Sequence, residues 1–140
     1  MKKILALLLS FLLITGLSRA EGDRREKVDL PEMMQKHMLS NMRDHLVAID
    51  QILSSMAAGN LDEAAQIAET RLGMSSLESH GAAHMAKRMP EGMRKAGTEM
   101  HRAASQFALR AQEGEAGPAY EALTRVTGAC VACHSVYRIH

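Results

Sequence analysis

The sequence predicts an all-α fold, an antiparallel four-helix bundle, on three observations. Apolar residues recur at alternating spacings of three and four, as they do on the buried face of a bundle helix. Helix-start and helix-stop residues bracket these segments, and the connectors between them are short. No stretch shows the sustained alternation of apolar and polar residues that is typical of a strand.

The first predicted helix opens at residues 29–32 (DLPE), where an Asp N-cap, a first-turn proline and a glutamate three positions after the Asp form a capping-box pattern. It runs to about Ala58 and stops at Gly59. Its predicted buried stripe is Leu39, Met42, Leu46, Ile49, Leu53 and Met56. The second predicted helix begins at Asn60 and fades near Gly81, and a connector rich in His and Met follows.

The third predicted helix starts at Pro90, and residues 114–117 break the chain after it. Its predicted stripe is Met93, Ala96, Met100, Ala104, Phe107 and Ala111. Pro118 starts the fourth predicted helix. One face of that helix carries Ala119, Leu123, Val126, Cys130, Cys133 and Tyr137.

The N-terminus reads as a signal peptide over residues 1–20. Two lysines precede the apolar run 4–15, and two small residues, two positions apart, end at Ala20. The run is short for a membrane span, which takes about 20 residues, so a retained membrane anchor is the less favoured alternative. We expect cleavage near Ala20, a periplasmic product and no stable membrane insertion afterwards. Residues 21–29 are charged and predict a flexible lead, and residues 30–140 form the single domain.

Charge and composition exclude nucleic acid as a partner. Without Lys2, Lys3 and Arg19, the 17 basic residues fall to 14, against 16 acidic residues. Nucleic-acid binders typically carry a basic surplus and stacking aromatics, and this chain has no Trp, two Phe and two Tyr. So few aromatics leave the core short of bulky groups, which methionines and a buried cofactor would supply.

The two cysteines of the chain stand as Cys130-Val131-Ala132-Cys133, followed directly by His134. Cys-x-x-Cys-His is the attachment signature of c-type haem. Each thiol adds to one vinyl group of the porphyrin, and the adjacent imidazole can then point at the iron. On a helix His134 also lies over Cys130, four positions earlier. The motif predicts one covalent haem c with His134 as an axial ligand of the iron.

Three other interpretations of the cysteine pair stay open at this point. A disulfide is common in an oxidising compartment, although so short a closed loop makes a poor structural link. A thioredoxin-like redox motif needs a strand–helix context with the cysteines at a helix N-terminus. A zinc site would need a second pair of ligands besides this half-site.

The C-terminal motif formed by Cys130, Cys133, His134, Tyr137 and Arg138 (CxxCHxxYR), on the last helix of a secreted helical chain, resembles that of the class II cytochromes c. This family comprises cytochrome c′ and its low-spin, Met-ligated relatives. The resemblance implies that His134 is the proximal ligand and that Arg138 lies close to the proximal side of the haem. It also implies a homodimer that associates through the first two helices. The Trp and Phe often found around the haem in that family are missing here.

The resemblance also implies that a residue of the first helix faces the distal side of the iron. Counting back from Gly59 reaches Met42, which we predict as the second metal ligand. Met38, His37 and His45 are alternatives, and so is an open site. A Met ligand raises the haem potential and favours electron transfer, whereas an open iron favours a diatomic gas.

Three functions follow from these observations, and none is an enzyme. The first is a one-electron carrier that serves periplasmic redox proteins. The alternative is a cytochrome c′-like protein that binds nitric oxide or carbon monoxide. The second alternative is a copper- or zinc-binding protein that uses His80, His84 and His101 with nearby methionines. We favour the interpretation of these histidines as polar residues beside a Met-rich core.

Overall fold

The structure is a computed structural model that describes residues 22–140. The predicted signal peptide therefore lies outside the described residues. The described part of the chain is mostly helical, which confirms the all-α prediction. Its α-helices are α1 (Glu32–Ala57), α2 (Leu61–Arg71), α3 (Ala82–Ala86), α4 (Glu91–Gln112) and α5 (Ala116–Val136). Two short strands, β1 (Glu26–Lys27) and β2 (Tyr137–Arg138), and a 3-10 turn (Met74–Ser76) complete it. Among the described helices, none is long and apolar enough to cross a bilayer.

Helix α4 packs against both α2 and α5, and α1 packs against α2. The main core between these helices is built around four large, fully buried side chains, Ile52, Leu72, Phe107 and Val126. Most other members of this core are alanines, whose small side chains let helix axes approach closely. Burial of each large side chain contributes about 1.5–3 kcal/mol. The predicted stripe of α4 is confirmed at all its positions except Ala96, which is only half-buried.

The predicted buried stripe of α1 is wrong in part. Leu46 and Leu53 point to solvent, with 72 % and 44 % of their surfaces exposed. The residues that α1 buries are Met34, Met38, Ala48, Ile52, Ser55 and Met56. Both stripes have helical spacing, so the pattern alone could not rank them. The structure buries the stripe that contains small residues, and these fit against the alanines of the main core.

The second helix is shorter than predicted, because α2 ends at Arg71 and not near Gly81. The amides of Leu72 and Gly73 both donate to the carbonyl of Ala68, which closes the helix. A Cβ at position 73 would clash with the backbone and side chain of Glu69, so this closure requires glycine. The 3-10 turn and the five-residue α3 occupy the segment that was predicted as helix end and connector.

The two ends of the described chain lie together. Strand β1 pairs in parallel with β2, with Glu26 opposite Tyr137, and the pair continues in the bond from the Val28 amide to the Arg138 carbonyl at 2.8 Å. Val28 and Ile139 are buried in a second apolar cluster together with methionines of α1, α3 and α4. Part of the lead that was predicted to be flexible is therefore held against the C-terminus.

Candidate functional site

The Cys-x-x-Cys-His motif occupies the last two turns of α5. Since 3.6 residues make one turn, its three functional positions fall on one side of this helix. Cys133 and His134 line a cavity of about 300 Å³. Cys130 is half-buried against the main core, where its Sγ donates to the carbonyl of Val126 at 3.3 Å. The motif thus lies at the boundary between the main core and the cavity.

Both thiols are free in the structure. Burial raises the pKa of the Cys130 thiol. Burial also raises the pKa of the Cys133 thiol, and the neighbouring Cys130 adds to the effect. A thioredoxin-type pair has a lowered pKa at a helix N-terminus, whereas this pair lies near the C-terminal end of α5. The electrostatics therefore disfavour the redox-dithiol interpretation.

The cavity is bounded by α1, the segment that contains α3, the first half of α4 and the C-terminal residues. Of the predicted site residues, Met42, Cys133, His134 and Arg138 line it. Thioethers dominate its apolar wall: Met38, Met42, Met85, Met89, Met93 and Met100. Met side chains are flexible and fill irregular gaps, so this wall can reshape around a bound group.

Met42 and Met38, the two thioether candidates for the distal ligand, both line the cavity. Met38 is only 7 % exposed and packs within the second apolar cluster. Met42, one helical turn later, is half-buried at the edge of the same cluster. Met42 therefore has more freedom to turn its sulfur towards the cavity than Met38 has.

Arg138 carries an unsatisfied polar atom next to the cavity. Its Nε is buried and has no hydrogen-bond partner among the described residues, and the nearest carboxylate oxygen, on Asp23, is 3.7 Å away. Arg25 also lines the cavity and holds the pKa of Asp23 well below its usual range through hydrogen bonds. The guanidinium of Arg25 donates to the carbonyl of His134 at 3.2 Å. The C-terminal edge of the cavity therefore carries two guanidinium groups that share the carboxylate of Asp23, and the Nε of Arg138 is a donor without a hydrogen-bond partner among the described residues.

Three histidines from distant parts of the chain meet at the cavity wall. The ring centroids of His45 and His80 are 4.8 Å apart, those of His80 and His101 are 5.5 Å apart, and those of His45 and His101 are 6.0 Å apart. The sequence grouped His80 and His101 with His84, but His84 is exposed and does not line this cavity. His45 takes its place, from a position three residues after Met42 on α1. We call His45, His80 and His101 the histidine cluster.

Hydrogen bonds that involve backbone carbonyls hold two of these histidines in place. The Nδ1 of His101 donates to the carbonyl of Leu72 at 2.7 Å, which leaves Nε2 of that ring as an acceptor. The carbonyl of His80 accepts from the side chains of His37 at 2.9 Å and Asn41 at 3.0 Å. The segment before α3 is therefore attached to α1 at the residue that presents the second ring of the cluster.

Burial favours the neutral form of two rings of the histidine cluster, His45 and His80. Burial lowers the pKa of His45 to about 4, and the nearby His80 and His101 add to the effect. Burial also lowers the pKa of His80. Desolvation disfavours the charged form of an imidazole, so each of these two rings keeps one nitrogen as an acceptor. The Nε2 of His45 and the Nδ1 of His80 share a hydrogen bond of 3.4 Å, and the Nδ1 of His80 is also 3.3 Å from the Oγ of Ser76.

Within residues 22–140, no group of three or more His, Cys, Asp and Glu side chains is already placed to hold a metal ion. The thioethers of the cavity methionines are further possible ligands besides those side chains. The site is thus an apolar, Met-lined cavity with the Cys-x-x-Cys-His motif on one wall and the histidine cluster on another. No protein-family model, curated protein or solved structure matches this chain.

Proposed function

We propose that this chain is a periplasmic c-type cytochrome that carries one covalent haem and transfers single electrons between redox proteins. The observation that carries the proposal is the placement of Cys133 and His134 at one apolar cavity, with Cys130 one turn earlier on the same helix. In this proposal α1, α2, α4 and α5 form the four-helix bundle, and residues 1–20 are the signal peptide that directs export.

The residues around the cavity suit a haem. Thioethers make an apolar wall, and the free donor at Nε of Arg138 can bond a propionate oxygen. A cavity of about 300 Å³ is at the lower limit for ligand pockets, and a porphyrin needs more room. The methionine side chains would provide this room by changing rotamer. The bound haem would then complete the core in place of the missing aromatic side chains.

When bound, the haem iron supplies the one-electron couple. The thiols of Cys130 and Cys133 would hold the ring, and the His134 imidazole would be a ligand of the iron. The thioether of Met42, on α1, would be the second ligand of the iron and would raise the reduction potential. The methionine wall excludes water, which further favours the less charged form of the site. Arg25 and Arg138 would offset the negative charge of the haem propionates at the C-terminal edge of the cavity.

The absorption spectrum of the reduced protein tests this function directly. Purified from a host that matures cytochromes c, the ferrous protein is expected to show the sharp α-band of six-coordinate, low-spin haem. Addition of carbon monoxide should change that spectrum little. A broad high-spin spectrum that responds fully to carbon monoxide would instead support the gas-binding function and contradict electron transfer as the main role.

We further propose that two copies associate through α1. Leu46 and Leu53 lie seven positions apart on one side of that helix and are both exposed, which gives α1 an exposed apolar stripe. The double substitution Leu46→Gln and Leu53→Gln is expected to halve the mass in solution, as measured by sedimentation. Leu109→Gln, at an exposed position of α4, is the matched control. A native protein that sediments as a monomer contradicts the dimer.

A further inference from the structure

We propose that the histidine cluster is a second metal site, selective for cuprous copper and separate from the haem iron. It lies on the wall of the cavity that α1, the segment before α3 and α4 share. Its ligands would be His45 and His80, with His101 or a cavity methionine as the third. This site does not depend on the proposed haem function.

The spacing of two nitrogens carries the proposal. The Nε2 of His45 and the Nδ1 of His80 are 3.4 Å apart and share a hydrogen bond, which a bound metal ion would replace. Two imidazole nitrogens that bind one metal at about 2.0–2.1 Å in tetrahedral geometry are separated by roughly 3.4 Å. The ring centroids of the cluster, 4.8–6.0 Å apart, also bracket the roughly 5 Å expected when imidazoles share one ion.

The surroundings of the rings resemble an outer ligand shell. Histidine ligands of metals usually donate their second ring nitrogen to a carbonyl or carboxylate, which fixes the tautomer. His101 makes this bond to the Leu72 carbonyl and keeps Nε2 for a ligand. The carbonyl of His80 is held by Asn41 and His37, so its ring is positioned from outside the cluster.

The choice of copper follows from the third ligand. The described residues offer no complete set of three or more His, Cys, Asp and Glu donors, and structural zinc takes four such ligands. Cuprous copper accepts fewer ligands and favours soft thioethers besides imidazole. Met100, next to His101 in sequence, is buried and lines the same cavity. A site with two imidazoles and a third ligand, either a thioether or the Nε2 of His101, therefore suits Cu(I) best.

Competition for Cu(I) against a chromogenic chelator tests the site in the haem-containing protein. We expect the native protein to withdraw one equivalent of Cu(I) from the chelator. The double variant His45→Ala, His80→Ala is expected to bind Cu(I) about 100-fold or more weakly, because loss of even an outer-shell partner lowers metal affinity by about 10–100-fold. His84→Ala, in the same segment but exposed, is the matched control and should bind as the native protein does. Asn41→Ala removes only a positioning bond and should weaken binding by about tenfold.

X-ray absorption of the copper-loaded native protein needs no variant and covers the case in which the double variant fails to fold. Imidazole scattering from two or more rings is the expected result. The proposed site is overturned if the native protein fails to withdraw copper from the chelator or if the absorption shows scattering from sulfur alone. It is also overturned if His84→Ala loses as much copper binding as the double variant. Haem content is measured on the same samples, so a haem-free protein that still binds copper would contradict the cytochrome and leave the copper site intact.

Discussion

Replacement of Cys130 and Cys133 by serine together is expected to abolish covalent haem. Native protein from a host with cytochrome c maturation machinery should keep its haem through acid-acetone extraction, and the double variant should release all of it. The physical reason is that serine cannot form the thioether bonds to the porphyrin. Because a group bound only to the native state adds stability, the variant should also unfold at lower temperature.

Val131→Ala is the matched control for this test. Val131 lies between the two cysteines, is exposed, and leaves the motif intact when shortened. Its haem should resist extraction as native haem does. Each single Cys→Ser variant should retain haem by one bond, which mass spectrometry of peptides from the last helix can measure. Haem that extracts freely from the native protein would falsify the proposed function.

Met42→Leu is expected to convert the haem from low spin to high spin and to open the iron to carbon monoxide. Leucine keeps the volume of methionine, so the cost in stability should be below about 1.5 kcal/mol, but it has no sulfur to bind iron. The change is measured by the loss of the sharp ferrous α-band and by a carbon monoxide titration. Loss of the thioether should also lower the reduction potential.

Met38→Leu is the control for the distal ligand, one helical turn or about 5.4 Å away. Met38 already packs within the second apolar cluster, so leucine should leave the spectrum almost unchanged. If only Met38→Leu converts the spin state, the ligand is Met38. If neither variant changes a low-spin spectrum, the ligand is a histidine, and His45→Ala then becomes the decisive substitution.

The all-α class was predictable because helical spacing and end signals are local properties of the sequence. The buried face of α1 was not predictable, since two stripes of residues on that helix satisfy the same spacing. Burial of the stripe with Ala48 and Ile52, rather than Leu46 and Leu53, depends on the alanines of other helices. Which stripe faces the core is therefore a tertiary property that no single segment carries.

The residues of the candidate site that lie close together in the sequence were predictable, whereas those that tertiary packing brings together were not. Cys130, Cys133 and His134 lie within five positions, so one helix places them. The histidine cluster draws one ring from each of three segments, and only packing could replace His84 with His45. A weak signal existed, since His45 lies three positions after the predicted ligand Met42 and so close to the same side of α1.

The pairing of β1 with β2 has a consequence for the order in which the molecule assembles. Arg25 contacts the His134 carbonyl across 109 positions of the chain, a contact of high sequence separation that closes late because loop closure must come first. The N-terminal segment is synthesised first, but it finds its partner only after the last residues, which include the Cys-x-x-Cys-His motif, have been made. We expect the cavity to stay accessible until β1 and β2 pair, so that a group that binds there enters before the two chain ends close.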